Sequence, residues 1–130
     1  MEQYLIDTNV ISDYLSESFS VKSMALMDGI IDEIPNISII TQIELECWNV
    51  SDSITKKVKD FIGDSQVLNI NTDVIAQCVK LRKEKKIKTP DAIIAATALA
   101  YGFTLITNNV KDFTFFVMLS YSSILVLFEL

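Results

Sequence analysis

Tyr4-Leu5-Ile6-Asp7-Thr8-Asn9-Val10-Ile11 is the stretch on which the fold turns. An apolar run that stops at Asp reads as a short buried strand over residues 3–7. Thr8 and Asn9 can start a helix, and Val10, Ile11, Tyr14 and Leu15 follow at helical spacing. A strand passing straight into a helix is the opening of a βα unit. Asp7 stands at the junction, where a carboxylate is costly to bury unless it is paired or bound to a metal.

The same alternation repeats outward from this point. A second helix is predicted over Val21–Ile31. Pro35-Asn36 breaks the chain, and Ile37, Ile39 and Ile40 form the next strand. Thr41 then caps a helix carrying Ile43, Leu45, Cys47 and Trp48. Asp52-Ser53 opens another, with Ile54, Val58, Phe61 and Ile62 on one face. Val67-Leu68-Asn69-Ile70 is a third strand. Thr72-Asp73 caps a helix through Lys86 that turns Val74, Ile75, Cys78, Val79 and Leu81 inward. Thr89-Pro90 opens a helix from Asp91 to Tyr101, and Gly102 closes it. Phe103-Thr104-Leu105-Ile106 is a fourth strand, and a last one lies within Ile124–Phe128. Strands alternating with helices predict an α/β fold with a mainly parallel sheet of four to five strands, covered on both faces.

Bulk properties narrow the class. A chain of 130 residues, half of them hydrophobic, has the size of one domain, taken as 1–130. Three Gly and two Pro exclude disordered and collagen-like chains. The net charge of −6 has the wrong sign for holding nucleic acid by bulk electrostatics. A bound cation would reverse that sign locally. Cys47 and Cys78 have neither metal-ligand nor redox spacing, and both are expected in the core of a protein kept in a reducing compartment. No signal peptide is read at the start. The apolar stretch Phe113–Phe128 is interrupted by Thr114, Ser120, Ser122 and Ser123, so no membrane span is expected and the localisation is cytoplasmic.

Carboxylates recur at strand ends and helix starts, and the chain has no histidine. Ligands of open α/β sheets bind beyond the carboxyl ends of the strands. Asp7 ends the first strand, Thr41 and Glu44 follow the second, and Asn109 and Asp112 follow the fourth. Asp91 joins them if its helix starts at the same edge. Each has a structural alternative. Glu44 after Thr41 fits a capping box, Asp91 suits a helix dipole, and Asp112 can be a solvated loop charge. Together they make an oxygen-rich site for a hard divalent cation. Such an ion polarises a phosphoryl oxygen and activates water, which suits phosphodiester hydrolysis without an imidazole base. Six of the eleven cations fall between Lys80 and Lys88, just before Asp91. They are either a solvated helix end or a rim that contacts phosphates.

These motifs resemble the PIN-domain family, and within it the VapC-type ribonuclease toxins of prokaryotic toxin–antitoxin pairs. Leu5-Ile6-Asp7-Thr8-Asn9 with Ile11 matches the family opening. Thr41-Gln42-Ile43-Glu44-Leu45 matches its second acidic motif. Pro90-Asp91-Ala92-Ile93-Ile94-Ala95-Ala96-Thr97-Ala98, then Gly102 and Leu105-Ile106-Thr107-Asn108-Asn109, complete the pattern. The resemblance implies a three-layer α/β/α domain and a Mg²⁺- or Mn²⁺-dependent endoribonuclease. Asp7, Glu44 and Asp91 would bind the metal, with Thr8, Asn9 and Thr107 orienting them. Many members carry Asp where this chain has Asn109, and others an acid where Asp112 stands, so Asp112 is taken as the fourth carboxylate. The implied partners are an RNA substrate, a cognate antitoxin protein and a second copy of the chain. Thr114-Phe115-Phe116-Val117-Met118-Leu119 departs from the family's usual polar ending. Two other readings are a degenerate PIN domain kept for binding and a phosphatase with Asp7 as nucleophile. Against the phosphatase, Asn9 stands where an acid would be wanted.

Overall fold

The structure, a computed structural model, describes residues 3–109, Lys111, Phe113 and the backbone of 124–126. Among the described residues the elements follow in the order β1 (Tyr4–Ile6), α1 (Thr8–Leu15), α2 (Val21–Ile31), β2 (Asn36–Ser38), α3 (Ile39–Glu46), α4 (Asp52–Asp64), β3 (Gln66–Leu68), α5 (Thr72–Glu84), α6 (Thr89–Tyr101), β4 (Thr104–Thr107) and β5 (Ile124–Val126). The strands form one sheet in the order β3-β2-β1-β4-β5, and every pairing is parallel. Leu5 aligns with Leu105 and Ile6 with Ile106.

Alternation along β1 and β4 divides the core into two halves. Leu5 and Leu105 face a cluster built by α5 and α6, with Val74, Leu81, Ala92, Ala95 and Ala96. Ile6 and Ile106 face the opposite cluster from α1 to α4, with Val10, Ile11, Met27, Leu45 and Phe61. The result is a three-layer α/β/α domain, because successive side chains of a strand point to opposite faces. The alanines of α6 let that helix sit close to the sheet and to α5.

Helix starts follow hydroxyl and amide caps. Ser20, Ser38, Ser51 and Asn71 cap α2, α3, α4 and α5, each accepting from the backbone N–H three residues on. The structure corrects the second strand here. Ile39 and Ile40 belong to α3, not to β2, because Ser38 ends the strand and caps the helix at once. Thr41 is therefore inside α3 and does not cap it. β3 starts one residue earlier than expected and ends two residues earlier, at Leu68, and α5 stops at Glu84 instead of Lys86. Gly102 ends α6 with φ +70°, a left-handed conformation that Gly adopts without strain.

Two burial expectations are also corrected. Ile75 and Val79 are about half exposed, whereas Val74 and Leu81 are fully buried. α5 carries two apolar i, i+4 rows one residue apart, 74/78 and 75/79, and only one of them can face α6 and the sheet. Cys47 is exposed, since it lies past the last turn of α3, and Cys78 is half-buried. Among the described residues no helix is long and apolar enough to cross a membrane. Residues 114–119 lie outside the described residues, as does most of the apolar stretch to Phe128.

Candidate functional site

β2, β1 and β4 end in a row of buried polar groups: Ser38, Asp7 and Thr107. All three strands run the same way, so these groups share the carboxyl edge of the sheet. Asp7 is only 4% exposed. Its backbone N–H continues the ladder to Ile106 O at 2.9 Å. Its side chain caps α1, with Oδ1 accepting from the Thr8 N–H at 2.8 Å. Oδ2 accepts from the Thr107 hydroxyl at 2.7 Å. Thr107 Oγ1 in turn accepts from the Asn109 N–H at 2.9 Å. Asp7 is thus fixed by one bond from its own helix and one from β4.

A second set of hydroxyls joins Glu44 to this floor. Thr8 Oγ1 donates to Glu44 Oε1 at 2.6 Å and lies 2.9 Å from Thr41 Oγ1. Thr8 has one hydroxyl proton, and a carboxylate can only accept, so Thr41 supplies the proton of the second contact. Ser38 Oγ accepts from the Thr41 N–H at 3.1 Å and approaches Thr41 Oγ1 at 3.4 Å. The capping-box role for Glu44 is overturned: Ser38 caps α3, and Glu44 lies beyond the first turn. Its carboxylate is exposed and bonds across to α1 instead.

Asp91 sits in the first turn of α6 and is half-buried. α6 ends three residues before β4 begins, so it runs back against the strands and starts at their carboxyl edge. The side-chain charges of Asp91 and Glu44 both act on Asp7. The Asp7 carboxyl is pushed up to about 6: burial is the largest cause, the bonds from Thr107 and Thr8 oppose the rise, and the charges of Asp91 and Glu44 add to it. Among the described residues, no positive side chain is among the groups acting on it. Holding this charge costs about 3 kcal/mol at neutral pH relative to an ordinary Asp.

The other sequence candidates divide. Thr8 and Thr107 hold carboxylates, as described. Asn9 is exposed and ties to none of the described carboxylates through a hydrogen bond. Asn109 reaches the site through its backbone N–H. Asp112 lies outside the described residues. Ser38 and Thr41 were missed as supports of Glu44. So was Asn108, whose Nδ2 donates to Asp13 Oδ2 at 2.8 Å and pins the end of β4 to α1. A Ser directly before a helix start was the signal available for Ser38; the other contacts join residues remote in sequence.

Among the described residues no group of three or more Asp, Glu or Cys side chains is arranged to hold a metal ion. The donor chemistry still fits a small hard cation. Every available ligand is oxygen, Asp7 keeps a free lone pair on each oxygen, and Mg²⁺ commonly takes one or two carboxylates and several waters. The cleft of about 310 Å³ lined by Leu45, Trp48, Val58 and Ile62, with Glu46, Thr55 and Lys59, is mostly apolar, and none of Asp7, Glu44 and Asp91 lines it.

Thr107→Val tests the support of Asp7. It removes a bond to a buried carboxylate and leaves the Asn109 N–H without its acceptor. A loss of about 1–3 kcal/mol is expected in urea unfolding, with an unchanged slope. Thr107→Ser should restore most of it.

The family model described as the PIN domain matches residues 4–114. No curated protein matches. Among solved structures, a chain of a toxin–antitoxin complex from Klebsiella pneumoniae is 28% identical, with TM-score 0.80; the match covers 98% of this chain and 100% of that one. A chain of VapBC2 from Rickettsia felis, bound to a DNA fragment from their promoter, is 19% identical with TM-score 0.75, covering 95% and 98%. A chain of DNA-bound VapBC from Salmonella typhimurium is 20% identical with TM-score 0.75, covering 98% of each.

Proposed function

The chain belongs to the PIN-domain family, and on that premise we propose that it is the toxin of a toxin–antitoxin pair and a metal-dependent endoribonuclease. The observation that carries the reading is Asp7: a buried carboxylate at the carboxyl edge, repelled by Asp91 and Glu44, with no cation among the described groups acting on it. A fold keeps such a charge at a cost to stability when something else neutralises it.

Asp7 and Asp91 would hold the ion, Mg²⁺ or Mn²⁺, with Glu44 reaching it directly or through water. Asp112 is the candidate for a fourth carboxylate. When bound, the ion supplies charge neutralisation at a phosphoryl oxygen and lowers the pKa of a coordinated water. Thr107 and the Thr8 N–H set the direction of the Asp7 lone pairs. Thr8 also fixes the reach of Glu44, so one residue positions two carboxylates. A cognate antitoxin and a second copy of the chain are the proposed protein partners, and RNA the substrate.

The second reading is a binding module that has lost its chemistry. Asn109 in place of an acid favours it, and so does the absence, among the described residues, of a ready grouping of three ligands. Mn²⁺ calorimetry combined with cleavage of single-stranded RNA separates the two. Saturable Mn²⁺ binding with cleavage that stops in EDTA is expected. A protein that binds no Mn²⁺ and leaves RNA intact is the binding module.

A further inference from the structure

The connection between α5 and α6 carries an unusual charge. Residues 80–88 hold six cations (Lys80, Arg82, Lys83, Lys85, Lys86 and Lys88) and one acid, Glu84, for a net +5. The whole chain is −6, so everything outside this segment sums to −11. All six cations are exposed. Among the described residues the ion pair is Lys57–Glu17, which involves none of them.

Helix-end electrostatics account for only part of this. The dipole of α5 favours cations in its last turn, where Arg82 and Lys83 stand, and the effect fades within that turn. Lys80 precedes the turn, and Lys85, Lys86 and Lys88 lie beyond the helix. Six like charges in nine residues repel one another, so the segment costs stability unless an anion compensates.

The fold places this segment beside the acidic edge. Asn71 at the start of α5 bonds to the Tyr101 hydroxyl at the end of α6, at 3.4 Å. The two helices are therefore antiparallel, and the end of α5 meets the start of α6. Lys88 is the N-cap residue of α6, and Asp91 follows in its first turn. Ile87 is buried in the α5–α6 core between exposed Lys86 and Lys88, and its N–H bonds to Lys85 O at 3.1 Å. The connection is anchored with its cations outward.

We propose that Lys80–Lys88 is a phosphate-binding rim that holds the backbone of single-stranded RNA and leads it to the carboxyl edge at Asp7 and Asp91. The inference rests on the nuclease reading for its purpose, but its binding can be tested apart from cleavage. A polyanion meets repulsion from the −11 remainder of the molecule, and this rim supplies the attraction. The contacts read phosphates and not bases, so affinity is independent of sequence. Each phosphate neutralised steepens the fall of log K with log salt by about 0.7 for a single strand.

The test uses the full chain in EDTA, two labelled 20-nucleotide RNAs of unrelated sequence, and the triple variant Lys83→Gln, Lys86→Gln, Lys88→Gln. Affinity for both RNAs should fall by about the same factor, at least tenfold at low salt, and the salt slope should flatten by about 2. Neither Mn²⁺ affinity nor the urea midpoint should fall, which shows the fold and the acidic edge intact. Unchanged RNA affinity and slope in the triple variant overturns the rim, whatever the cation contacts instead. If wild type shows rim-dependent RNA binding but no metal-dependent cleavage, the rim stands and the nuclease reading falls.

Discussion

Asp7→Asn is expected to abolish metal-dependent RNA cleavage and, in the same protein, to raise the stability of the metal-free form. The two effects have one origin. Asn matches Asp in shape: its carbonyl accepts from the Thr8 N–H and its amide donates to Thr107 Oγ1, which leaves the Thr107 hydroxyl proton without its acceptor. The charge, however, is gone. Loss of the buried anionic ligand removes several kcal/mol of cation and transition-state stabilisation, which corresponds to a rate loss of at least about 100-fold. Removing the uncompensated charge returns part of the roughly 3 kcal/mol that burial and the neighbouring carboxylates impose. Allowing about 1–2 kcal/mol for the Thr107 proton left without an acceptor, a net gain of about 1–2 kcal/mol is expected at pH 7.5, a rise of several degrees in Tm. Cleavage assays in Mg²⁺ and thermal melts in EDTA read the two effects separately. An Asp7 that served only to cap α1 would behave in the opposite way, with stability lost and activity little changed. A fall in Tm with cleavage retained would therefore remove the acidic site.

Much of this arrangement could be read from residues alone, for reasons that are local. β1, Asp7 and α1 stand out because an apolar run ends at a carboxylate with helical spacing beyond it. α2 covers Val21–Ile31 as expected, and α6 is bounded by Thr89-Pro90 at its start and Gly102 at its end. Once the sheet is parallel, the shared edge of Asp7, Glu44 and the end of β4 follows from topology. The failures are just as physical. Ile37, Ile39 and Ile40 look like one strand because β-branched residues favour strands. Ser38 decides otherwise by capping α3, and a tertiary setting overrides propensity. Thr41-x-x-Glu44 looks like a capping box only if α3 starts at Thr41. Moving the start to Ile39 frees Glu44 for Thr8. That bond joins residues 36 apart, as the Thr107 bond to Asp7 joins residues 100 apart. No spacing rule reaches such distances. On α5, two apolar rows of equal merit compete, and the choice between Val74 and Ile75 is made by α6, not by the helix itself.

The pH dependence of stability separates Asp7 from the rest of the chain when wild type is compared with Asp7→Asn. In the unfolded chain Asp7 titrates near 3.8, and in the folded metal-free protein it titrates near 6. Between those values the folded state holds more protons than the unfolded state. Stability therefore falls as pH rises through this window, the reverse of a salt-bridged Asp. Below about pH 3 both states are protonated and Asp7 costs nothing; above about pH 7 the full penalty, about 3 kcal/mol, is in place. About 2 kcal/mol of it develops between pH 4.5 and 7.5. Urea unfolding in EDTA should show the advantage of Asp7→Asn over wild type growing by that amount across the interval. Saturating Mn²⁺ should reverse the trend for wild type alone, because a cation competes with the proton for the same carboxylate and stabilises the folded form by mass action. A difference between the two proteins that stays flat with pH would mean that Asp7 is not held against its own charge, and with it would go the reason for placing a cation beside it.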